Sequence, residues 1–510
     1  MEKRGAVKER KVAAEEPVEA ALPSALPPPA AAALVFVAAG AVLMLEILAV
    51  RLLAPYVGLT LETTTSIIGA ALAGIATGAA VGGYFADRTN TRLLIVGLLI
   101  VGGLLTLLTV PVVRWVGPGV RGDGNLAALG VTVIALVPAA SVLSAVSPAV
   151  AHLQLHDLRA SGTIVGRLSA WATAGALIGT FGTGFVVVPL MPVGTAVLLI
   201  GTVLVLTGIG LGATARLLPA AGLAGAVVGA LALGALSAAA NSPCDEETHY
   251  HCINVSATPK LSPHGLHLLL DNEYNSYVDL DDPTVLTYNY TRWIGEGIDS
   301  KYAPGEQLDA VFVGGGAFTL PGWLDATRPG SQAVVLELDG DVVGVDEEQL
   351  GLRTSPALRV SVGDARVGML DVASDSADVV VGDAFSGLTV PWHLTTAEWI
   401  DEVKRVLRPG GLYTLNLIDY GPMDFIKAET ATLLDAFADV RMVTFVDEEG
   451  EPAGGNVVML ASDQPMAGSV GSTAEGTYTF RRRALESFAG DAQTLRDDYA
   501  PVDQLLTVEE

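Results

Sequence analysis

The sequence predicts a multi-pass α-helical membrane domain followed by an α/β domain with a doubly wound parallel sheet, with a small β-hairpin domain between the two. Three observations point there. Residues 31–240 hold seven apolar runs, each near the ~20 residues a helix needs to cross hydrocarbon. From 308 to 461, apolar strand-like runs alternate with helical patterns, which implies parallel βαβ units. Charge also divides the chain. Residues 31–240 carry 8 Lys/Arg and 5 Asp/Glu, whereas residues 241–510 carry 16 bases against 45 acids.

The 510 residues are 51% apolar and 16% charged, against roughly 25% charged in an ordinary soluble domain. A disordered protein is excluded because it needs low hydrophobicity. A single soluble globule fits no better. The formal charge of −26 makes nucleic acid, itself a polyanion, an unsuitable partner.

Residues 1–30 begin charged and turn Ala- and Pro-rich (Leu26-Pro27-Pro28-Pro29), which reads as a disordered tail. The apolar stretch that follows is too long for a signal peptide. Runs at about 34–57, 64–85, 93–116, 126–150, 168–190, 193–215 and 218–240 then give about seven spans, with the shortest junction at 190–193. Glycine-rich stretches such as Gly69–Gly83 let helix backbones approach closely. The expected location is the cell membrane, with the bilayer as partner.

Arg88, Arg92, Arg159, Arg167 and Arg216 fall in loops on the side of the basic N-terminus; Arg51, Arg114 and Arg121 fall on the other. The positive-inside rule puts the N-terminus in the cytoplasm, so an odd number of crossings places residues 241–510 outside and an even number inside. Glu46 lies deep in the first run, where a charge is costly. It either binds a cation or substrate or pairs with Arg51. The segment Gly82-Gly83-Tyr84-Phe85-Ala86-Asp87-Arg88 is similar to a loop of major facilitator transporters, or it stabilises a helix end through an Asp87–Arg88 pair.

The only two cysteines, Cys244 and Cys252, follow the last run. They form a disulfide, stay reduced, or join His249 and His251 at a zinc ion; alternating His and Cys on a strand converge poorly for the last. Residues 241–283 read as the hairpin domain, from their polar–apolar alternation and the turn Ser262-Pro263-His264-Gly265. Residues 284–465 form the α/β domain, opened by a helix from about 285. Residues 466–510 read as an acidic tail with a helix and a basic cluster, Arg481-Arg482-Arg483.

The chemistry-bearing residues sit at strand ends of the α/β domain. Strand Leu308–Val313 runs into Gly314-Gly315-Gly316-Ala317-Phe318, a turn that lets a ligand approach the backbone and the next helix N-terminus. Strand Ala333–Leu336 ends at Glu337-Leu338-Asp339, about 20 residues on, where a carboxylate takes both hydroxyls of a ribose or caps the next helix. After the third strand, Gly363-Asp364-Ala365 places Asp364 to accept from an adenine amine or to cap a helix. After the fourth, Gly382-Asp383-Ala384 places Asp383 at the crevice where such sheets bind ligands, as a base, an amine anchor or an N-cap. The turn Leu407-Arg408-Pro409-Gly410-Gly411 feeds strand five.

This order of motifs resembles the class I S-adenosylmethionine-dependent transferases, with a Rossmann-like sheet. It is most similar to membrane-fused spermidine synthases, the polyamine aminopropyltransferases, over about 245–465. The hairpin motifs His249–Val255 and Leu269-Leu270-Asp271-Asn272 contribute to the likeness. The resemblance implies decarboxylated S-adenosylmethionine, or S-adenosylmethionine itself, as co-substrate, with no resident cofactor and no metal. It implies that Gly314–Gly316 approach the methionine-derived part, Glu337 holds the ribose, and Asp364 with Ala365 holds the adenine. It also implies that Asp383 assists deprotonation of the acceptor amine, and that His251, Tyr288, Asn289 and Ser386 bind the acceptor. Members of that family are often dimers or tetramers, and the resemblance implies a homodimer as one assembly open to this chain.

Two family carboxylates are absent. Ala317 stands where an acid binds the donor's amino group, and Ser386 where a second acid follows the catalytic one. The expected function is aminopropyl transfer to a polyamine such as putrescine. The alternatives are methyl transfer to another acceptor, or a membrane transporter or polyamine-binding protein whose Rossmann-like domain is not catalytic.

Overall fold

The computed structural model describes residues 26–57, 61–120, 125–155, 161–385, 390–468, 470–471 and 476–507. Most of the N-terminal segment read as a tail, together with Arg121, Arg159 and Ser386, lies outside these residues.

Among the described residues, six helices are long and apolar enough to cross a membrane: Pro28–Val57, Thr63–Ala86, Thr91–Val120, Ser161–Leu190, Val193–Thr214 and Ala220–Ala239. The broken pair Leu129–Ala135 and Val137–Gln154, bent by 43°, makes a seventh if it counts as one. The break falls beside Pro138, which has no N–H for the carbonyl four residues back. Outer faces carry bare apolar side chains such as Phe185, Leu190 and Leu231, which suit a lipid solvent and not water. Within Gly69–Gly83, Gly74, Gly78 and Gly82 lie close against residues 137–145, whereas Gly69 and Gly83 face open space. A Cβ on Gly78 would strike the backbone of Ser141, and one on Gly175 the backbone of Phe36.

Two pairings that stood as alternatives in this half do not form. Arg51 donates to the carbonyls of Thr248 and His249 in the hairpin domain, not to Glu46. Glu46 is buried, with one carboxylate oxygen lacking a hydrogen-bond partner. Arg88 lies over the Tyr84 ring at 3.6 Å, while Asp87 faces His152 at 3.6 Å.

The hairpin domain is a four-stranded antiparallel sheet in the order β1 (Glu246–Glu247), β2 (Cys252–Ala257), β3 (Gly265–Leu270) and β4 (Glu273–Asp279). Cys244 and Cys252 form a disulfide across the β1–β2 turn, so neither is a thiolate available to zinc.

The second sheet has eight strands: β5 (Asp309–Val313), β6 (Gln332–Glu337), β7 (Leu358–Val362), β8 (Ala377–Gly382), β9 (Leu407–Asp419), β10 (Asp439–Phe445), β11 (Gly455–Ser462) and β12 (Thr477–Arg481). Their spatial order is β12-β10-β11-β9-β8-β5-β6-β7. Strands β5 to β9 pair in parallel. β11 runs antiparallel to β9 and β10, so the sheet is mixed and not purely parallel. A wholly parallel sheet would need a helical crossover before β11; the short connection from β10 permits only a hairpin.

The segment from 466 onward is no loose tail. Residues Thr477–Arg481 form the edge strand β12 against β10, and Arg482–Ala489 is a helix laid back on the sheet. Leu485, Leu495 and Val502 enter the main core, and Arg482 donates to the carbonyls of Leu434, Phe437 and Ala438. Average acidity hides these few anchoring positions.

Candidate active site

The strand order reverses between β5 and β8: the connection after β5 leads to β6 on one side, and that after β8 to β9 on the other. Ligands of open α/β sheets sit in the crevice beyond such a point. Here it is formed by the ends of β5, β6, β7 and β8, with β4 of the hairpin domain laid across it.

The β5 turn is fixed from both sides. Gly314 N–H donates to the Leu336 carbonyl at 2.9 Å, and Asp383 N–H to the Val313 carbonyl at 2.8 Å. Gly314 has φ +94°, and a Cβ there would run into the Asp383 carbonyl. A Cβ on Gly316 would meet the Ser276 hydroxyl and Asn275 of β4.

Glu337 ends β6 with its carboxylate turned to this bend. Gly315 N–H donates to its Oε2 at 2.7 Å and Asp339 N–H to its Oε1 at 2.9 Å. Burial pushes its carboxyl up, and the two N–H bonds pull it back. Each oxygen keeps lone-pair capacity for a further donor. Behind it lies Asp346, fully buried, both oxygens without a hydrogen-bond partner, pushed up to about 9 by burial and then by Glu337. At neutral pH Asp346 is therefore a protonated acid. Leu338 and Val362, large apolar side chains exposed at the ends of β6 and β7, border the same rim.

Asp364 follows β7. Its Oδ1 accepts from Val367 N–H at 3.1 Å, capping the helix Ala365–Met369, and its Oδ2 faces His393 Nε2 at 3.0 Å. Capping leaves Asp364 at the crevice edge with a partly exposed carboxylate.

Asp383 lies at the base of the crevice. Its Oδ1 accepts from Asn416 Nδ2 at 2.9 Å, and Asn416 Oδ1 accepts from Asn456 Nδ2 at 3.1 Å. Burial pushes its carboxyl up to about 6, against the opposing bonds from Asn416 and the Tyr290 hydroxyl. Tyr290 stacks on Tyr288 (centroids 6.1 Å apart), which stacks on His267 and bonds its Nδ1 at 2.9 Å. Burial lowers His267 below the ordinary histidine value and pushes Tyr288 up to about 12, so both are neutral at pH 7. The wall beside Asp383 is thus aromatic and uncharged.

The structure brings Gly314, Gly315, Gly316, Glu337 and Asp383 together, with Asp364 and Ala365 along one rim. Tyr288 reaches this wall as the N-cap residue of the helix Asn289–Lys301. Asn289 instead accepts from Arg292. His251 pairs with Asp271 at 3.0 Å, on the Glu337 side of the crevice. Sequence reasoning missed Tyr290, His267, Asp346, Asn416 and Asn456. The signal for Asn416 was present: a polar residue between Leu415 and Leu417 in a central strand has to be satisfied by a specific partner.

No family model matches the chain. The chain is 26% identical over 239 residues to a polyamine aminopropyltransferase of Vibrio vulnificus, covering 45% of this chain and 76% of that one. It is 26% identical over 141 residues to a polyamine aminopropyltransferase of Chromobacterium violaceum, covering 28% of this chain and 53% of that one, about half the relative's length. Among solved structures it is similar to a probable spermidine synthase from Corynebacterium glutamicum, with 25% identity, a TM-score of 0.45, and coverage of 51% of this chain and 96% of that one.

Proposed function

We propose that this chain, spermidine synthase-like in its C-terminal half, transfers an aminopropyl group from decarboxylated S-adenosylmethionine to a primary amine, putrescine being the simplest candidate. The carrying observation is one placement: Asp383 stands beside the glycine bend while Glu337, one strand over, is bonded to that same bend. The relatives named polyamine aminopropyltransferase support the reading.

In this reading the nucleoside lies across the ends of β5 to β7. Glu337 offers its free lone pairs to the ribose hydroxyls. Leu338 and Val362 flank the base, and Asp364 with the Ala365 N–H reads its edge. Gly314–Gly316 let the sulfonium chain pass close to the backbone. A neutral amine attacks the carbon beside the sulfonium, a C–N bond forms as the C–S bond breaks, and methylthioadenosine leaves. Asp383 takes the proton released by the amine. Tyr290 and Asn416 hold the carboxylate toward the acceptor, and Tyr288 and His267 line the acceptor's path. The six apolar helices support a multi-pass membrane domain as the anchor of this enzyme.

Protein given decarboxylated donor and putrescine should release methylthioadenosine; none released with any amine would overturn the proposal. Ala317 supports a second reading, because no acid stands there for the donor's amino group. Ordinary S-adenosylmethionine then fits the same cradle, and a methylated product would favour it. Glu337→Ala should raise donor KM by about tenfold to a hundredfold with a smaller effect on kcat, because it removes two ribose contacts. The pH profile follows from Asp383. As a base it works ionised, so kcat/KM should fall as pH drops through about 6 and level off above it, apart from the acceptor amine's own titration. That inflection should be missing in Asp383→Asn.

A further inference from the structure

A continuous hydrogen-bonded path joins the first apolar helix to the donor carboxylate. Arg51, two turns before the end of the helix Pro28–Val57, donates to the carbonyls of Thr248 and His249. Those two residues form the β1–β2 turn that the disulfide closes. The Thr248 hydroxyl accepts from the N–H groups of Tyr250 and His251 at 3.0 and 2.9 Å, and donates to Asp339 Oδ2. Asp339 is buried and caps the helix Gly340–Gln349 with its other oxygen, while its N–H donates to Glu337 Oε1. Glu337 Oε2 in turn holds Gly315. The path runs through both side chains and backbone: Arg51 holds the turn by two carbonyls, the Thr248 hydroxyl passes to the Asp339 carboxylate, and the Asp339 N–H passes to Glu337.

Two further contacts fix the frame around this path. Asn272 Nδ2 donates to the Pro55 carbonyl at 2.8 Å, on the same helix as Arg51. Glu247 Oε1 accepts from Val193 N–H at 2.6 Å, capping the helix Val193–Thr214. Carboxylates Glu247, Asp271 and Asp339 surround the Arg51 guanidinium. Of these, Asp339 also repels Glu337; the arginine offsets part of this negative charge and orients the turn that holds Asp339.

We propose that Arg51 is a positioning residue for the donor site: the apolar-helix domain sets donor affinity through the path Arg51, Thr248, Asp339, Glu337. This rests on Glu337 being the donor's sugar ligand. Arg51 touches no substrate; it acts by holding Glu337 in the orientation in which its remaining lone pairs face the crevice. The apolar domain is then part of the enzyme's binding apparatus as well as its anchor.

The test is steady-state kinetics of methylthioadenosine release by the full chain in detergent or lipid nanodiscs, with donor and acceptor varied separately. Arg51→Ala and Thr248→Val should each raise donor KM about tenfold, with acceptor KM and kcat changed less than about twofold. Because both cut one path, the double variant should be no worse than the more affected single one. Arg51→Lys, which keeps the charge, should recover part of the loss. Independent, multiplying effects of the two substitutions would overturn the proposal, as would equal rises in both KM values or no rise at all. If Arg51→Ala fails to accumulate folded protein, Thr248→Val carries the test, since it lies in the hairpin domain and changes one hydroxyl to a methyl. Glu337→Ala separates the two levels. If it raises donor KM while Arg51→Ala and Thr248→Val do not, only this inference falls; if it leaves donor KM unchanged, the reading of the donor site falls too.

Discussion

Asp383→Asn is expected to lower kcat about a thousandfold while leaving donor KM within a factor of about three. The substitution keeps the shape of the side chain, and its remaining carbonyl oxygen can still accept from Asn416. What is lost is proton acceptance, together with the negative charge that the Tyr290 hydroxyl bonds. The donor's nucleoside contacts, at the ends of β5 to β7, are untouched. Burial that pushes Asp383 up to about 6 makes it a stronger base than an exposed carboxylate, yet leaves it mostly ionised at pH 7. Single-turnover release of methylthioadenosine, with donor binding measured by calorimetry, separates the two effects. Wild-type turnover in the Asn variant would remove Asp383 from the chemistry.

Gly314→Ala should be the most damaging single methyl in the α/β domain. Its φ of +94° is unfavourable for any residue with a Cβ, and the added carbon meets the Asp383 carbonyl. That carbonyl cannot retreat easily, because the Asp383 and Gly314 N–H groups are both bonded to neighbouring strands. A loss of about 3 kcal/mol or more, with donor binding abolished, is expected. Gly344→Ala is the matched control. Gly344 lies in the helix Gly340–Gln349 with open space where a Cβ would go, so alanine there should stabilise by about 0.5–1 kcal/mol. Thermal unfolding with and without donor reads both; equal melting temperatures for the two variants would show that the bend tolerates a side chain.

Much of this organisation was legible in the sequence because it depends on local periodicity. The apolar runs, the glycine bend after β5 and the acids at strand ends are read along one segment at a time. Tyr290, two residues past Tyr288, was hidden because on a helix only the fold decides which side chain reaches Asp383. Asn456 joins the site only because β11 pairs antiparallel with β9, a register set by tertiary packing. The pairing of Arg51 with Glu46, one of the two alternatives, fails for a related reason: proximity in sequence suggested an intrahelical pair, but the Arg51 partners are 197 and 198 residues away. The acidic C-terminal segment misled through its average, since the pairing of β12 with β10 and a few apolar anchors dock it.

The docking of β12 governs where the polypeptide tolerates being shortened. Trimming at residue 465 would strip the edge of β10, leaving a row of unpaired amides and carbonyls ready to recruit a neighbouring molecule. Aggregates from such a trimmed protein would report a missing margin, and not an intrinsically sticky enzyme.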